Sequence, residues 1–115
     1  MSTPREQYFE KILKTCATFL SRWTNADATI WELTRSHKSL SLLITRNNED
    51  GSNLLLSCVD PVKVRGPIRW QHSNLTVSRA DLPDGLDEGF LVADRAADVE
   101  ILCGAIEVRE NIKVY

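Results

Sequence analysis

From Tyr8 to Trp23 the apolar residues recur at three- and four-residue steps, and nowhere later in the chain does that spacing return. Tyr8, Phe9, Ile12, Leu13, Cys16, Phe19, Leu20 and Trp23 form one stripe, with Glu6, Glu10, Lys11, Lys14 and Arg22 largely off it. That is the signature of a helix buried along one side. Its start is marked by Thr3-Pro4-Arg5-Glu6, a capping hydroxyl, a proline in the first turn and a glutamate three residues after the cap. The pattern predicts a helix over about 4–24, ending near Asn25.

After this helix, short β-rich runs alternate with turn residues. Strands are predicted over 28–35 and 39–46, joined by a polar turn around Ser36 and His37, and over 53–59. The loop 47–52 carries Gly51 for a hairpin, and Asp60-Pro61 is expected to stop the third strand. Leu40, Leu42 and Ile44 alternate in one strand, and Leu54, Leu56 and Cys58 in the next, giving two inward sets on which the helix stripe can pack. The expected architecture is α+β: an N-terminal amphipathic helix packed on a mainly antiparallel sheet of about six or seven strands. All of 1–115 is expected to form a single domain, strand-rich over 28–115.

The second half contains a weak internal repeat. VKVRGPIRWQHSNLTV (62–77) can be laid over EILCGAIEVRENIKV (100–114), with one gap, so that Gly66 falls on Gly104, Ile68 on Ile106 and Trp70 on Val108. Strict alternation breaks at Gly104, since Val99, Ile101 and Cys103 have one parity and Ile106 and Val108 the other. A bulge at Gly104 would restore one face, whereas Gly66-Pro67 is expected to bend its strand. In the first copy, Ile68 and Trp70 are predicted to face the core, and Arg65 and Arg69 to face solvent.

Charge narrows the choice of partner. Fourteen basic and sixteen acidic residues leave a net charge of −2, so no global field draws the chain to phosphate backbones or anionic membranes. The distribution is uneven: Lys63, Arg65, Arg69 and Arg79 dominate 60–80, whereas seven acids stand against Arg95 in 81–100. No apolar run reaches the roughly eighteen residues a membrane helix needs, and the charged N-terminus does not resemble a secretory signal, so a cytoplasmic protein is expected. Cys16, Cys58 and Cys103 are too dispersed for a disulfide framework or a zinc site and read as small buried hydrophobes.

The sequence contains no phosphate-binding loop, dinucleotide fingerprint, nucleophile elbow or metalloprotease motif. His37 and His72 lie in expected turns, and the acids of 81–89 lack calcium-loop spacing. No catalytic, cofactor-binding or metal-binding residue is therefore assigned. What remains is a solvent-side basic ladder, Lys63, Arg65 and Arg69, as a candidate partner contact. The ladder could be answered by the acidic segment of the same chain or by a partner. The expected function is a noncatalytic protein-interaction or assembly module that meets a protein partner or itself. The strand-like end IKVY suggests a homodimer through an open sheet edge. The alternative is a small-ligand binding protein or enzyme with its pocket between helix and sheet. A nucleic-acid site on Arg65, Arg69, Trp70 and His72 is disfavoured by the acidic total.

Overall fold

A computed structural model describes residues 3–33, 39–45, 53–83 and 88–112. Helix α1 spans Pro4–Ser21. Thr3 Oγ1 accepts from the Glu6 backbone N–H at 3.1 Å, the cap its sequence announced. The helix ends three residues earlier than predicted, because the hydrogen bonds tighten at its end. Arg22 N donates to Phe19 O at 3.1 Å and Trp23 N to Leu20 O at 3.0 Å, both one residue shorter than an α-helical step. Asn25 then turns the chain at φ 69, and Trp23 is carried on this tightened turn into the core.

Among the described residues seven strands follow: β1 (Asp27–Leu33), β2 (Ser39–Thr45), β3 (Asn53–Arg65), β4 (Arg69–Trp70), β5 (Thr76–Asp81), β6 (Glu88–Asp94) and β7 (Val99–Ile112). They form one antiparallel sheet in the order β4-β1-β2-β3-β7-β6-β5, with α1 packed on it, so the fold is α+β. The inward alternation of Leu40, Leu42 and Ile44 against Leu54, Leu56 and Cys58 is as the sequence indicates, and all six are buried. Phe9, Cys16, Leu20 and Trp23 of the helical segment join the same core.

Asp60-Pro61 does not stop β3, which runs on to Arg65. Among the described residues pairing with β2 ends at Ser39↔Val59, and Pro61 is paired with β7 alone. A missing backbone N–H costs least there. Nor is there a bulge at Gly104: the register runs unbroken from Val59↔Ala105 to Pro61↔Cys103, and the shift falls between Pro61 and Lys63. The change of parity is instead shared by two opposed residues, Asp60 at φ 52 and Gly104. Cys103 and Ile106 are buried on either side of Gly104, and Cys58 is the last buried residue of β3 before Asp60, so the inward face changes at this point.

This common bend makes β3 and β7 members of two half-sheets. Residues 54–59 of β3 pair with β2, while 99–103 of β7 pair with β6. The curvature can be judged from distance. β4 and β6 stand five places apart in the strand order, which in a flat sheet would separate them by about 24 Å. Yet Trp70 Nε1 on β4 donates to Asp94 Oδ2 on β6 at 2.8 Å, so the sheet curls until β4 reaches the end of β6. The link 71–75 crosses that closure and is pinned to the end of the helical segment by Asn25 N to Ser73 O (2.8 Å) and Ser73 N to Ala26 O (2.9 Å).

Candidate interaction surfaces

The stretch 62–69 crosses from β3 to β4 and carries the basic ladder. Lys63 and Arg65 share the face of Glu100, their neighbour across the β3–β7 pairing. Arg65 Nη2 lies 3.0 Å from both Glu100 Oε1 and Asp98 Oδ1, and Lys63 Nζ lies 4.0 Å from Glu100 Oε2. The acidic segment of the chain thus engages two members of the ladder. Arg69 is separate: it sits opposite Thr29 on β4, beside a concavity of about 450 Å³ lined by Asp27, Thr29, Thr45, Trp70 and Gln71. Among the described residues it has no ion-pair partner.

Between these charges the surface is apolar. Val62 is 41 %, Val64 45 % and Ile68 71 % exposed, and with Tyr8 they are the large apolar side chains left open among the described residues. Trp70 is buried as predicted, but Ile68 does not face the core. The reason is backbone placement. Gly66 turns the chain at φ 131 directly against Val99, and Ile68 crosses between the half-sheets, its carbonyl accepting from Ile30 N at 2.7 Å. β3 beyond Asp60 has a strand partner on one side, β7, among the described residues. Val62 and Val64 lie on this stretch, and among the described residues no strand pairs with its other edge.

A second set of concavities meets at Thr76. Between α1 and β5 lies a cleft of about 390 Å³, lined by Ala17, Leu20, Ser21 and Thr24 from the helical segment and Asn74, Leu75, Thr76 and Val77 from the strand side. None of these side chains is an acid, a base or a thiol. Two further hollows, of about 460 and 250 Å³, share both Thr76 and Arg95. Arg95 opens the turn between β6 and β7, where Asp98 N donates to Arg95 O at 3.2 Å. Immediately before it, buried Asp94 accepts from Trp70 Nε1 and from Asn74 N, each at 2.8 Å, and from Ala97 N at 3.4 Å. The backbone that carries Arg95 is consequently fixed while its side chain is exposed. The sequence did contain a signal for this region, the polar alternation Asn74, Thr76, Ser78; its juxtaposition with Arg95 depends on strand pairing, Thr76↔Ala93.

At the other end of α1, Arg79 forms a two-point contact with Glu88 and lies 4.4 Å above the Phe9 ring. The hydrogen-bonded carboxylate raises the arginine's already high pKa. The three cysteines, dispersed in sequence, gather in the core. Burial pushes the Cys16 thiol up to about 11, and a hydrogen bond with Cys103 followed by burial raises that of Cys58 far above the usual thiol range. Among the described residues no group of histidine, cysteine and acidic side chains is arranged to hold a metal ion. His72 is exposed in a turn at φ 54; His37, Gly51, the acids of 84–87 and the C-terminal residues 113–115 lie outside the described residues. No helix among the described residues is long and apolar enough to cross a membrane. No family model matches the chain, and no curated protein or solved structure matches it significantly.

Proposed function

We propose that the protein is a noncatalytic interaction module that pairs through the outer edge of β3, residues 61–65, extended by Ile68. The observation that carries this reading is the exposure of Val62, Val64 and Ile68 along one short stretch that includes a strand edge. Such an edge takes an added strand through its backbone groups, and its apolar side chains supply the area that makes pairing favourable. Charge favours a second copy as the partner. Lys63 and Arg65 are balanced within the chain by Glu100 and Asp98, so two identical edges can approach antiparallel without a strong like-charge penalty. Arg69, on β4 opposite Thr29, lies apart from this edge and takes no part in the pairing.

Sedimentation equilibrium over a range of protein concentrations tests the reading. The expected result is a monomer–dimer equilibrium that Val64→Lys shifts at least tenfold toward monomer, with unchanged circular dichroism. A chain that stays monomeric at several hundred micromolar, or a dimer indifferent to Val64→Lys and Ile68→Lys, would overturn it.

A further inference from the structure

Independently of the β3 edge, we infer that the groove between α1 and β5 is a docking site for an extended peptide that ends in a free carboxylate, held by Arg95. β5 closes the strand order, and among the described residues it pairs with β6 alone, which leaves its other edge without a strand beside the helix. The cleft there is lined by small and apolar groups, Ala17, Leu20, Leu75 and Val77, with hydroxyls at its rim. That lining suits one modest apolar side chain with backbone on either side of it.

The orientation follows from charge. Thr76 lines the helix–strand cleft and both hollows next to it, so the cleft borders the hollows that hold Arg95 at this residue. An added strand antiparallel to β5 has its C-terminus beside Thr76, where Arg95 stands. A parallel strand would bring its N-terminal ammonium there, against the guanidinium. Arg5, Arg22, Arg65, Arg79 and Arg109 each lie within ion-pair distance of a carboxylate of this chain. Arg95 has no such partner among the described residues, and its backbone is held by the turn that Asp94 caps. A single carboxylate fits better than a doubly charged phosphate, because Asp98 and Glu100, both paired with Arg65, line the same hollow as Arg95. The Thr76 and Ser78 side chains stand along the same hollow and add hydrogen-bonding capacity.

The probe is an acetylated hexapeptide of alternating threonine and valine ending in a free valine carboxylate, compared with its C-terminal amide. Binding is followed by backbone amide shifts of the intact protein. The expected result is that the acid binds at least tenfold more tightly than the amide, with the largest shifts in 74–81. Arg95→Gln should erase the difference between the two peptides, and Ala17→Trp, which fills the cleft, should weaken both. Equal affinity of acid and amide, shifts centred on 61–68 instead, or no binding of the acid at millimolar concentration would each overturn the inference. The first two leave the β3-edge dimer standing, since sedimentation reads that separately.

Discussion

The Trp70 indole N–H donates to Asp94 Oδ2 at 2.8 Å across the closure of the sheet, joining strands that a flat sheet would hold far apart. The same oxygen accepts from Asn74 N, so one buried carboxylate holds both β4 and the segment leading to β5. Removing it leaves a buried indole N–H and a part-buried backbone N–H without an acceptor. Asp94→Ala is expected to cost about 3 kcal/mol, the order of two unpaired donors. Trp70→Phe should leave less unpaired, yet it also loses an aromatic hydrogen bond across the closure. Urea unfolding of the two single variants and the double variant would show coupling of about 1 kcal/mol or more. Additive effects would mean that this contact does not hold the closure.

The two strand glycines should behave oppositely. A Cβ on Gly89 would lie 2.2 Å from the Cys103 carbonyl oxygen, so the β6–β7 backbones must part to admit it. On Gly104 the nearest atoms would be 3.6 and 3.7 Å away, ordinary contact distances. Gly89→Ala is expected to destabilise by more than about 2 kcal/mol, whereas Gly104→Ala should be neutral or stabilise by up to about 1 kcal/mol through a stiffer unfolded chain. Thermal melts of the two variants decide this, and a severe loss at Gly104 would contradict the opposed Asp60–Gly104 bend.

Alkaline pH should weaken the fold through its thiols. The folded protein holds Cys16 at about 11 against an ordinary value of 9.0, and Cys58 is raised as well, so the neutral thiols are favoured in the native state. Their contribution is full below about pH 9. It is lost as the pH rises toward 11, because the unfolded chain releases protons first. Unfolding midpoints in urea should therefore fall between pH 9 and 11, and less steeply in Cys16→Ala. All three cysteines are buried, so iodoacetamide at pH 8 should label them only after denaturant is added. Rapid labelling of the native protein would show that the core opens readily.

The cluster of Lys63, Arg65, Asp98 and Glu100 should matter little for stability. Its side chains are half or more exposed at several positions, and exposed pairs contribute roughly 0–1 kcal/mol. Glu100→Gln is expected to lower stability by less than about 1 kcal/mol. If the β3 edge pairs with a second copy, the same variant should weaken the dimer more at low salt than at high salt. Sedimentation at two ionic strengths measures it.

What the sequence disclosed was local. Thr3, Pro4 and Glu6 marked the helix start, and the alternation of Leu40, Leu42, Ile44 with Leu54, Leu56, Cys58 gave the inward faces, because each depends on neighbours a few positions away. In the sequence Asp94 is simply the polar residue that follows Phe90-Leu91-Val92-Ala93; its role requires Trp70 and Asn74 to arrive from across a curled sheet, which no local pattern encodes. Ile68 was misread for a related reason. Parity with Trp70 places it inward only if the strand is continuous, and the turn at Gly66 and the crossing between half-sheets break that continuity. The basic ladder was legible as charge, but not that Glu100 and Asp98 meet two of its members while Arg69 stands elsewhere.

The order in which the strands are made sets a condition on folding. β7 is the last of them, yet it lies between β3 and β6 and joins the two half-sheets through the bend it shares with β3. Val59 must therefore wait for Ala105, and β6 has no inner neighbour until residues 99–103 have been synthesised. During translation β1, β2 and the first part of β3 can form a meander, but the centre of the sheet remains an open edge until β7 has left the ribosome. Non-local pairing of this kind slows folding. A ribosome-bound chain stalled before β7 would thus expose Leu54, Leu56 and Cys58 along an incomplete sheet, making that nascent intermediate the form of the protein most exposed to aggregation and chaperone capture.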